Sequence, residues 1–181
     1  QEGAIEYIIV TGYTKSFGAG GEDAWILKIK SSDGSAEWQK TYGTSNDDRF
    51  QRVITSSYNG SISYVFAGRT GTLPNFDLWV MITDKDGNIQ MSKKYYYPLL
   101  SPGGEWAWDI KETPDGAFVV GGLAERYIGA GGRDMWILKI RKDNGGIIWQ
   151  KAFGGPGSLD DEARSILVEE NGDIILAGTA H

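Results

Sequence analysis

The sequence predicts an all-β fold in which one antiparallel unit is repeated along the chain, and three observations lead to this prediction. First, an Asp-x-Trp phrase followed by apolar residues occurs three times, with Trp25, Trp79 and Trp136 spaced 54 and 57 positions apart. Self-similarity at such a period is typical of repeat architectures. Second, the apolar segments are short and rich in β-branched and aromatic residues, as strands are. Third, the chain holds 26 glycines in 181 residues, which indicates many tight turns.

Four strand types, which we name A, B, C and D, recur in that order. Type C carries the Asp-x-Trp phrase, and type D carries Trp38, Met91 or Trp149. Type A occupies residues 50–55, 106–111 and 163–168, and type B occupies residues 6–14, 64–70, 118–122 and 174–179. The chain therefore predicts thirteen strands in the order B-C-D, A-B-C-D, A-B-C-D, A-B.

The connections between these strands alternate in length. Each A–B and C–D connection contains Asn-Gly or Asp-Gly, at 33–34, 59–60, 86–87, 115–116, 144–145 and 171–172. These dipeptides predict two-residue hairpin turns, because such turns need positive φ. The B–C and D–A connections are longer. Successive loops of an up-and-down sheet emerge at opposite ends, so we expect the long loops to share one face and to carry recognition.

Four antiparallel strands in each repeat of about 55 residues fit a β-propeller blade. Residues 134–139, 147–155 and 171–178, with a matching set over 23–43, resemble bacterial and archaeal propeller-type repeats of the form D-x-W-L-L-K … W-Q-K-T-F-G-G … D-G-G-Y-I-V-A-G. The kelch and WD40 signatures are absent. The resemblance implies four-stranded blades and a place in a large secreted or cell-surface protein, so the expected location is extracellular or at the cell surface.

We expect a single repeat domain over residues 1–181, with copies at roughly 6–58, 59–114 and 115–170 and a final strand at 171–181. This amounts to about three blades, whereas propellers usually have 4–8. Three interpretations stay open: a segment of a longer propeller, two copies that form a ring of about six blades, or an open array. Because an open sheet edge recruits another strand, self-association through the terminal strands is also expected.

Composition excludes several functional classes. The net charge is −6 without a long basic run, which argues against nucleic acid and anionic membranes as partners. No apolar run approaches the roughly 20 residues that a membrane-spanning helix needs. The chain has no cysteine, and its one histidine is His181 at the end, so the sequence predicts no catalytic centre.

One aromatic segment departs from the repeat and is the best candidate for ligand binding. It contains Tyr95, Tyr96, Tyr97, Trp106 and Trp108. A core position is expected to recur, whereas a specialised surface is not. Aromatic rings beside polar groups suit sugar stacking or a protein-binding hot spot. The alternative is that these rings cover an interface between blades.

Paired acids in two D–A loops give a second, weaker candidate site. Asp47 with Asp48, and Asp160 with Asp161, could bind Ca²⁺ through oxygen ligands. The alternative is that these carboxylates form turns. No other cofactor is expected. The three Asp-x-Trp tryptophans are predicted to pack between blades, and the aspartates that precede them are predicted to accept backbone N–H bonds.

The sequence thus predicts a non-catalytic extracellular binding or structural module, with recognition on the long-loop face and with a protein or glycan of the cell surface as partner. Two alternatives remain: a lectin-like, carbohydrate-binding propeller, and a fragment of a polysaccharide hydrolase or lyase.

Overall fold

The computed structural model describes residues 6–97, 103–125, 132–155 and 159–180. These residues form thirteen β-strands and no helix, so the predicted all-β class and strand count are confirmed. The strands are β1 (Tyr7–Thr14), β2 (Asp23–Lys30), β3 (Ala36–Tyr42), β4 (Asp47–Tyr58), β5 (Ser61–Thr72), β6 (Asn75–Asp84), β7 (Ile89–Tyr95), β8 (Glu105–Glu112), β9 (Ala117–Glu125), β10 (Arg133–Arg141), β11 (Ile147–Phe153), β12 (Glu162–Val168) and β13 (Ile174–Thr179). No described segment is a helix of the length and apolarity needed to cross a membrane.

The strands form four antiparallel sheets in chain order. Sheet 1 is β1-β2-β3, sheet 2 is β4-β5-β6-β7, sheet 3 is β8-β9-β10-β11, and sheet 4 is β12-β13. Sheets 2 and 3 each contain one strand of every type in the order A-B-C-D. Within the described residues sheet 1 contains types B, C and D, and sheet 4 contains types A and B.

The tight turns lie where the sequence predicts them, but only one has the predicted geometry. Asn59 and Gly60 both have positive φ, 50° and 77°, as a two-residue type I′ turn requires. In the other five turns only the glycine is left-handed. These turns are longer; for example, the Gly116 amide donates to the Thr113 carbonyl at 2.9 Å. The prediction of two-residue turns is therefore wrong for five of the six.

Two of the connections that were expected to be long are short, and one of them is the D–A connection between β3 and β4, which spans only residues 43–46. In sheet 2 the B–C connection is short, because β5 and β6 extend until only Leu73 and Pro74 separate them. In sheet 1 the corresponding loop runs from residue 15 to residue 22. Part of the sheet 3 loop, at 126–131, lies outside the described residues. Loop length thus varies among copies, while the strands keep their register.

The core consists of layers between successive sheets. Ala24 and Ile26 of sheet 1 pack against Phe66 and Trp79 of sheet 2 in one such layer. The opposite face of sheet 2 packs on sheet 3, and sheet 3 packs on sheet 4. Trp79 and Trp136 are buried, as predicted for core residues. Trp25 is only half-buried, because it lies on the face of β2 opposite Ala24 and Ile26.

Each type A strand contains a β-bulge at the same position. The bulged residues are Gln51 in β4, Trp108 in β8 and Arg164 in β12. A glycine of the type B strand lies beside each bulge; a Cβ added at Gly68, Gly122 or Gly178 would overlap the carbonyl oxygen of the neighbouring type A strand. Glycine is thus required where the two backbones approach closely, and the bulge turns the following side chains.

Candidate binding site at the edge strands

The three type A strands lie next to one another, each at the edge of its own sheet. Asp109 of β8, which is 3% exposed, joins them. Its carboxylate accepts from the backbone amide of Ile166 in β12 at 2.8 Å and lies 3.0 Å from Nε of Arg52 in β4. A buried carboxylate with both partners fixes the spacing of the three strands.

The side chains that these strands present near the long loops differ from sheet to sheet. Two residues before the bulged residue these strands hold Arg49, Trp106 and Glu162, and at the bulge they hold Gln51, Trp108 and Arg164. The backbone frame is therefore shared, while the surface chemistry is not. The two tryptophans lie in the middle strand, with their ring centroids 5.8 Å apart and their planes nearly perpendicular.

Arginines from neighbouring strands cover these rings. The guanidinium carbon of Arg69 lies 4.4 Å from the Trp106 ring centroid and 4.0 Å from that of Phe76. Arg133 lies 5.1 Å from Trp106, and Arg164 lies 4.2 Å from Trp108. These distances are typical of cation–π contacts. The aromatic rings therefore hold arginines in place.

Arg69 is the least compensated of these cations. Its side chain is 12% exposed, and its acidic contact is Glu22 at 3.9 Å. Its Nε–H has no acceptor among the described residues. Burial lowers the pKa of Arg69, and the positive charge of Arg49 lowers it further. A buried cation with so distant a counter-ion is costly, because its lost hydration is not replaced.

Arg49 has a different environment. Its guanidinium makes two hydrogen bonds to the Glu22 carboxylate, and these raise its pKa while they lower the pKa of Glu22. Lys15 adds a second cation at 3.1 Å from Glu22. Glu22 is therefore already engaged by Arg49 and Lys15, which leaves Arg69 with the weakest share of this carboxylate.

A small cavity, which we call the Arg69 pocket, opens beside this group. Its volume is about 110 Å³, and none of its lining residues is an acid. The lining residues are Arg49, Gln51, Arg69, Trp106, Ala107 and Trp108. The indole N–H groups of both tryptophans also have no acceptor among the described residues. The Arg69 side chain, which keeps 12% of its surface exposed, is the charged donor beside this cavity and suits a ligand that supplies oxygen acceptors.

The five aromatic residues predicted to bind ligand do not form one cluster. Trp106 and Trp108 line the Arg69 pocket, but the Tyr97 ring contacts Trp136 at 5.8 Å. Tyr96 is 68% exposed. Tyr95 is 3% exposed and donates its hydroxyl to the Gly145 carbonyl at 2.8 Å, which places it in the packing between sheets 2 and 3. The intervening residues 98–102 lie outside the described residues.

The paired acids make loop hydrogen bonds. Asp48 accepts from the Thr44 amide at 2.6 Å, and Asp161 accepts from the Gly155 amide at 3.0 Å. Asp160 lies 3.6 Å from a guanidinium nitrogen of Arg133, and the Asp47 side chain lies against Gly21. In the described part of the chain, no group of three or more acidic or histidine side chains is arranged to hold a metal ion.

The predicted role of the Asp-x-Trp aspartates is borne out for Asp23. Asp23 accepts from the backbone amides of Ala19 and Gly20 at 2.9 and 3.1 Å, which fixes the B–C loop of sheet 1. For Asp77, burial raises the pKa of the carboxyl.

Sequence reasoning missed the arginines of the site. Arg49, Arg69 and Arg133 are far apart in the chain and come from three different strand types. One signal was present: Arg69 takes the strand position that Tyr13, Leu123 and Thr179 take in the other type B strands. A charge at a position that is apolar or uncharged elsewhere in the repeat indicates a local specialisation.

A comparison with models of known protein families finds no match, and a comparison with curated proteins finds none either. The function is therefore inferred from the geometry of the site.

Proposed function

We propose that this chain is a non-catalytic extracellular binding module built of β-propeller blades, and that the Arg69 pocket recognises a carboxylate group on an acidic glycan. One observation carries the proposal: Arg69 is a nearly buried cation, held between aromatic rings beside a pocket, and its acidic contact is 3.9 Å away.

The arrangement of the sheets supports propeller blades. Sheets 2 and 3 are four-stranded antiparallel meanders that pack face to face in chain order, as successive blades do. Their type A strands lie side by side, in the place of the strands that line a propeller's central channel. The Arg69 pocket would then lie at the long-loop end of this channel. The extracellular location rests on the resemblance to propeller-type repeats.

The chemistry of the pocket favours a carboxylate. A guanidinium forms paired, charge-assisted hydrogen bonds to carboxylate oxygens. Ring stacking holds Arg69 in position before a ligand arrives, which lowers the entropy lost on binding. The pocket, of about 110 Å³, has room for a group the size of a carboxylate. The remainder of a uronic acid can extend from it along the exposed loop ends.

A protein ligand is the main alternative within a binding role, because an Asp or Glu side chain carries the same group. The half-buried rings of Trp106 and Trp108 beside the pocket favour a glycan, since aromatic rings suit sugar stacking. The hydrolase or lyase alternative gains nothing at this pocket, because none of its six lining residues carries a carboxylate for general acid chemistry.

The proposal is tested by a binding screen against oligosaccharides of uronic acids, with neutral oligosaccharides of the same length as ligand controls. Arg69→Leu is the informative variant, since Leu123 takes this position in sheet 3 and is fully buried there. We expect binding of the uronic acid probes to weaken at least about tenfold, the effect of losing one charge-assisted contact.

Tyr96→Ala serves as the matched control, because this exposed aromatic residue is not among the pocket's lining residues, and it should bind like the unmodified chain. Equal binding of neutral and acidic probes, or full binding by Arg69→Leu, would contradict a carboxylate site at Arg69. Binding of acidic peptides in place of every glycan would assign the pocket to a protein partner.

A further inference from the structure

A contact between sheets occurs twice in this structure and is left incomplete a third time. The last strand of sheet 1 binds the C–D turn of sheet 2: the Tyr42 hydroxyl donates to the Gly87 carbonyl at 2.7 Å, and Lys40 donates to the Asp86 carbonyl at 2.6 Å. The last strand of sheet 2 binds the C–D turn of sheet 3 in the same way, through Tyr95 and Lys93.

In sheet 3 the corresponding side chains have no turn to bind among the described residues. They are Trp149, Lys151 and Phe153 of β11, which take the positions of Trp38, Lys40 and Tyr42 in β3. Phe153 is 54% exposed, whereas Tyr42 and Tyr95 are 9% and 3% exposed. An open, mainly apolar pocket of about 410 Å³ lies there, lined by Ile137, Trp149, Lys151, Phe153, Ile174 and Leu176. We call it the β11 pocket.

The complementary half of this contact is unused at the other end of the molecule. The C–D turn of sheet 1, residues 31–35, is exposed. A Cβ added at its Gly34 would meet no atom within 4 Å, whereas one added at Gly87 or Gly145 would meet the side chains that bind those turns. The chain thus has one free turn and one free turn-binding pocket of matching kind.

A second, independent feature concerns β1. Gly12 takes the position of Gly68, Gly122 and Gly178, where a type A backbone passes so closely that only glycine fits. At Gly12 no atom of the described residues lies within 4 Å of an added Cβ, because none of these residues forms a type A strand beside β1. On the same strand Ile8 and Val10 are 49% and 44% exposed, although Phe118 and Val120 at the equivalent positions of β9 are fully buried.

We propose that a second copy of this chain completes sheet 4, with its β1 replacing β13 beside β12 and its turn 31–35 bound in the β11 pocket. The composite sheet is β12 followed by β1, β2 and β3 of the second copy, which restores the A-B-C-D order of sheets 2 and 3. Gly12 then lies beside the bulge of β12, where Gly178 lies now, and the exposed faces of Ile8 and Val10 pack on sheet 3.

The strand that is replaced is weakly held. None of the six residues of β13 is buried, and Ile174 and Leu176 occupy the positions that Ile8 and Val10 would take. Each copy contributes three complete sheets once the exchange is made. Two copies therefore close a ring of six sheets, within the usual range of 4–8.

The test is the molar mass in solution, measured by light scattering over a range of concentrations. Gly12→Val is the decisive variant. It adds a side chain where the single copy has open space, and valine favours strands, so the stability of the monomer should not fall. In the composite sheet that side chain overlaps β12, and we expect the dissociation constant of the dimer to rise at least about a hundredfold.

Gly178→Val should act in the opposite direction. It displaces β13 from β12 within one copy, so β1 of the second copy meets less competition and dimerisation strengthens. A wild-type chain that stays monomeric at its highest soluble concentration would overturn the proposal. So would a dimer that Gly12→Val leaves intact, or one that Gly178→Val weakens.

Mixing two defective variants tests the head-to-tail geometry. Phe153→Asp damages only the β11 pocket, and Gly12→Val damages only β1. Each variant alone should be monomeric, but the mixture retains one intact pairing between an undamaged β1 and an undamaged β11 pocket. A mixed dimer is the expected result, and failure to form it would show that the two surfaces do not meet.

Discussion

The type A strands and the glycines beside them occupy equivalent places in sheets 2, 3 and 4. The glycines are the same in all three sheets, whereas the type A residues next to them differ. Gly68, Gly122 and Gly178 are identical because two backbones meet there. The type A residues whose carbonyl oxygens lie against these glycines are Arg49, Trp106 and Glu162. In a repeat protein, a position that holds the same residue in every repeat indicates a packing requirement. A position that differs between repeats indicates a surface that can be specialised in each repeat.

The largest expected effect tests the repeated tryptophans. Trp136→Ala removes a fully buried indole and should lower the free energy of unfolding by about 4 kcal/mol, because it leaves a large cavity. Trp25→Ala, at the same strand position, should cost about 1 kcal/mol, since Trp25 is half-buried. Urea denaturation of both variants measures the difference. Equal losses would mean that Trp25 is covered in solution, as the proposed dimer requires, and dilution would then separate the two cases.

The next effect tests the requirement for glycine. Gly122→Ala places a methyl group against the Trp106 carbonyl and should destabilise the fold by about 3 kcal/mol. Gly12→Ala, where space is open, should be neutral or stabilising by about 0.5 kcal/mol, because alanine restricts the unfolded chain. Thermal denaturation of dilute samples separates them. If Gly122→Ala has the same melting temperature as the wild type, the backbones of β8 and β9 do not approach as closely as the bulge indicates.

How far the sequence predicts this fold can be followed at particular residues. The number and order of the strands follow from local composition and from the recurring turn dipeptides. The burial of Trp79 and Trp136 follows from their recurrence. The bulges at Gln51 and Trp108 could not be predicted, because a bulge is a property of two paired strands and of their register. The same holds for five of the turns, whose length depends on where the strands stop pairing.

The candidate site was predictable only in part. Trp106 and Trp108 stand out because other copies lack them, but Arg69 and Arg133 reach them through pairing between distant segments. Tyr95 shows the opposite case. Its neighbours Tyr96 and Tyr97 make it resemble a departure from the repeat, yet it aligns with Tyr42 and Phe153 in their strands and, like Tyr42, it is buried. The position of a residue within the repeat predicts its burial better than the composition of the neighbouring segment does.

Alkaline pH should expose the buried tyrosines. Burial raises the pKa of Tyr42 from 10.0 to about 12 and also raises that of Tyr95. Because the folded state holds these protons more tightly than the unfolded state, their stabilisation is complete below pH 10 and is lost as the pH rises towards 12. We expect a fall of roughly 2 kcal/mol across this window. Denaturant titrations at several pH values measure it, and Tyr42→Phe should flatten the curve.

The smallest effect compares the two ends of the D-strand contact directly. Tyr95→Phe should cost about 1 kcal/mol, because it removes the hydroxyl that donates to Gly145 and leaves that carbonyl without this buried partner. Phe153→Tyr makes the reverse change at the equivalent position. In the single copy it should alter stability by less than about 0.5 kcal/mol, since Phe153 is 54% exposed.

In the proposed dimer the new hydroxyl would face the turn of the second copy and donate to it, as Tyr42 and Tyr95 donate to the turns that they contact. Stabilisation by Phe153→Tyr that grows with protein concentration would therefore identify the free end of sheet 3 as an interface. Stabilisation that is the same at every concentration would assign the effect to the single chain.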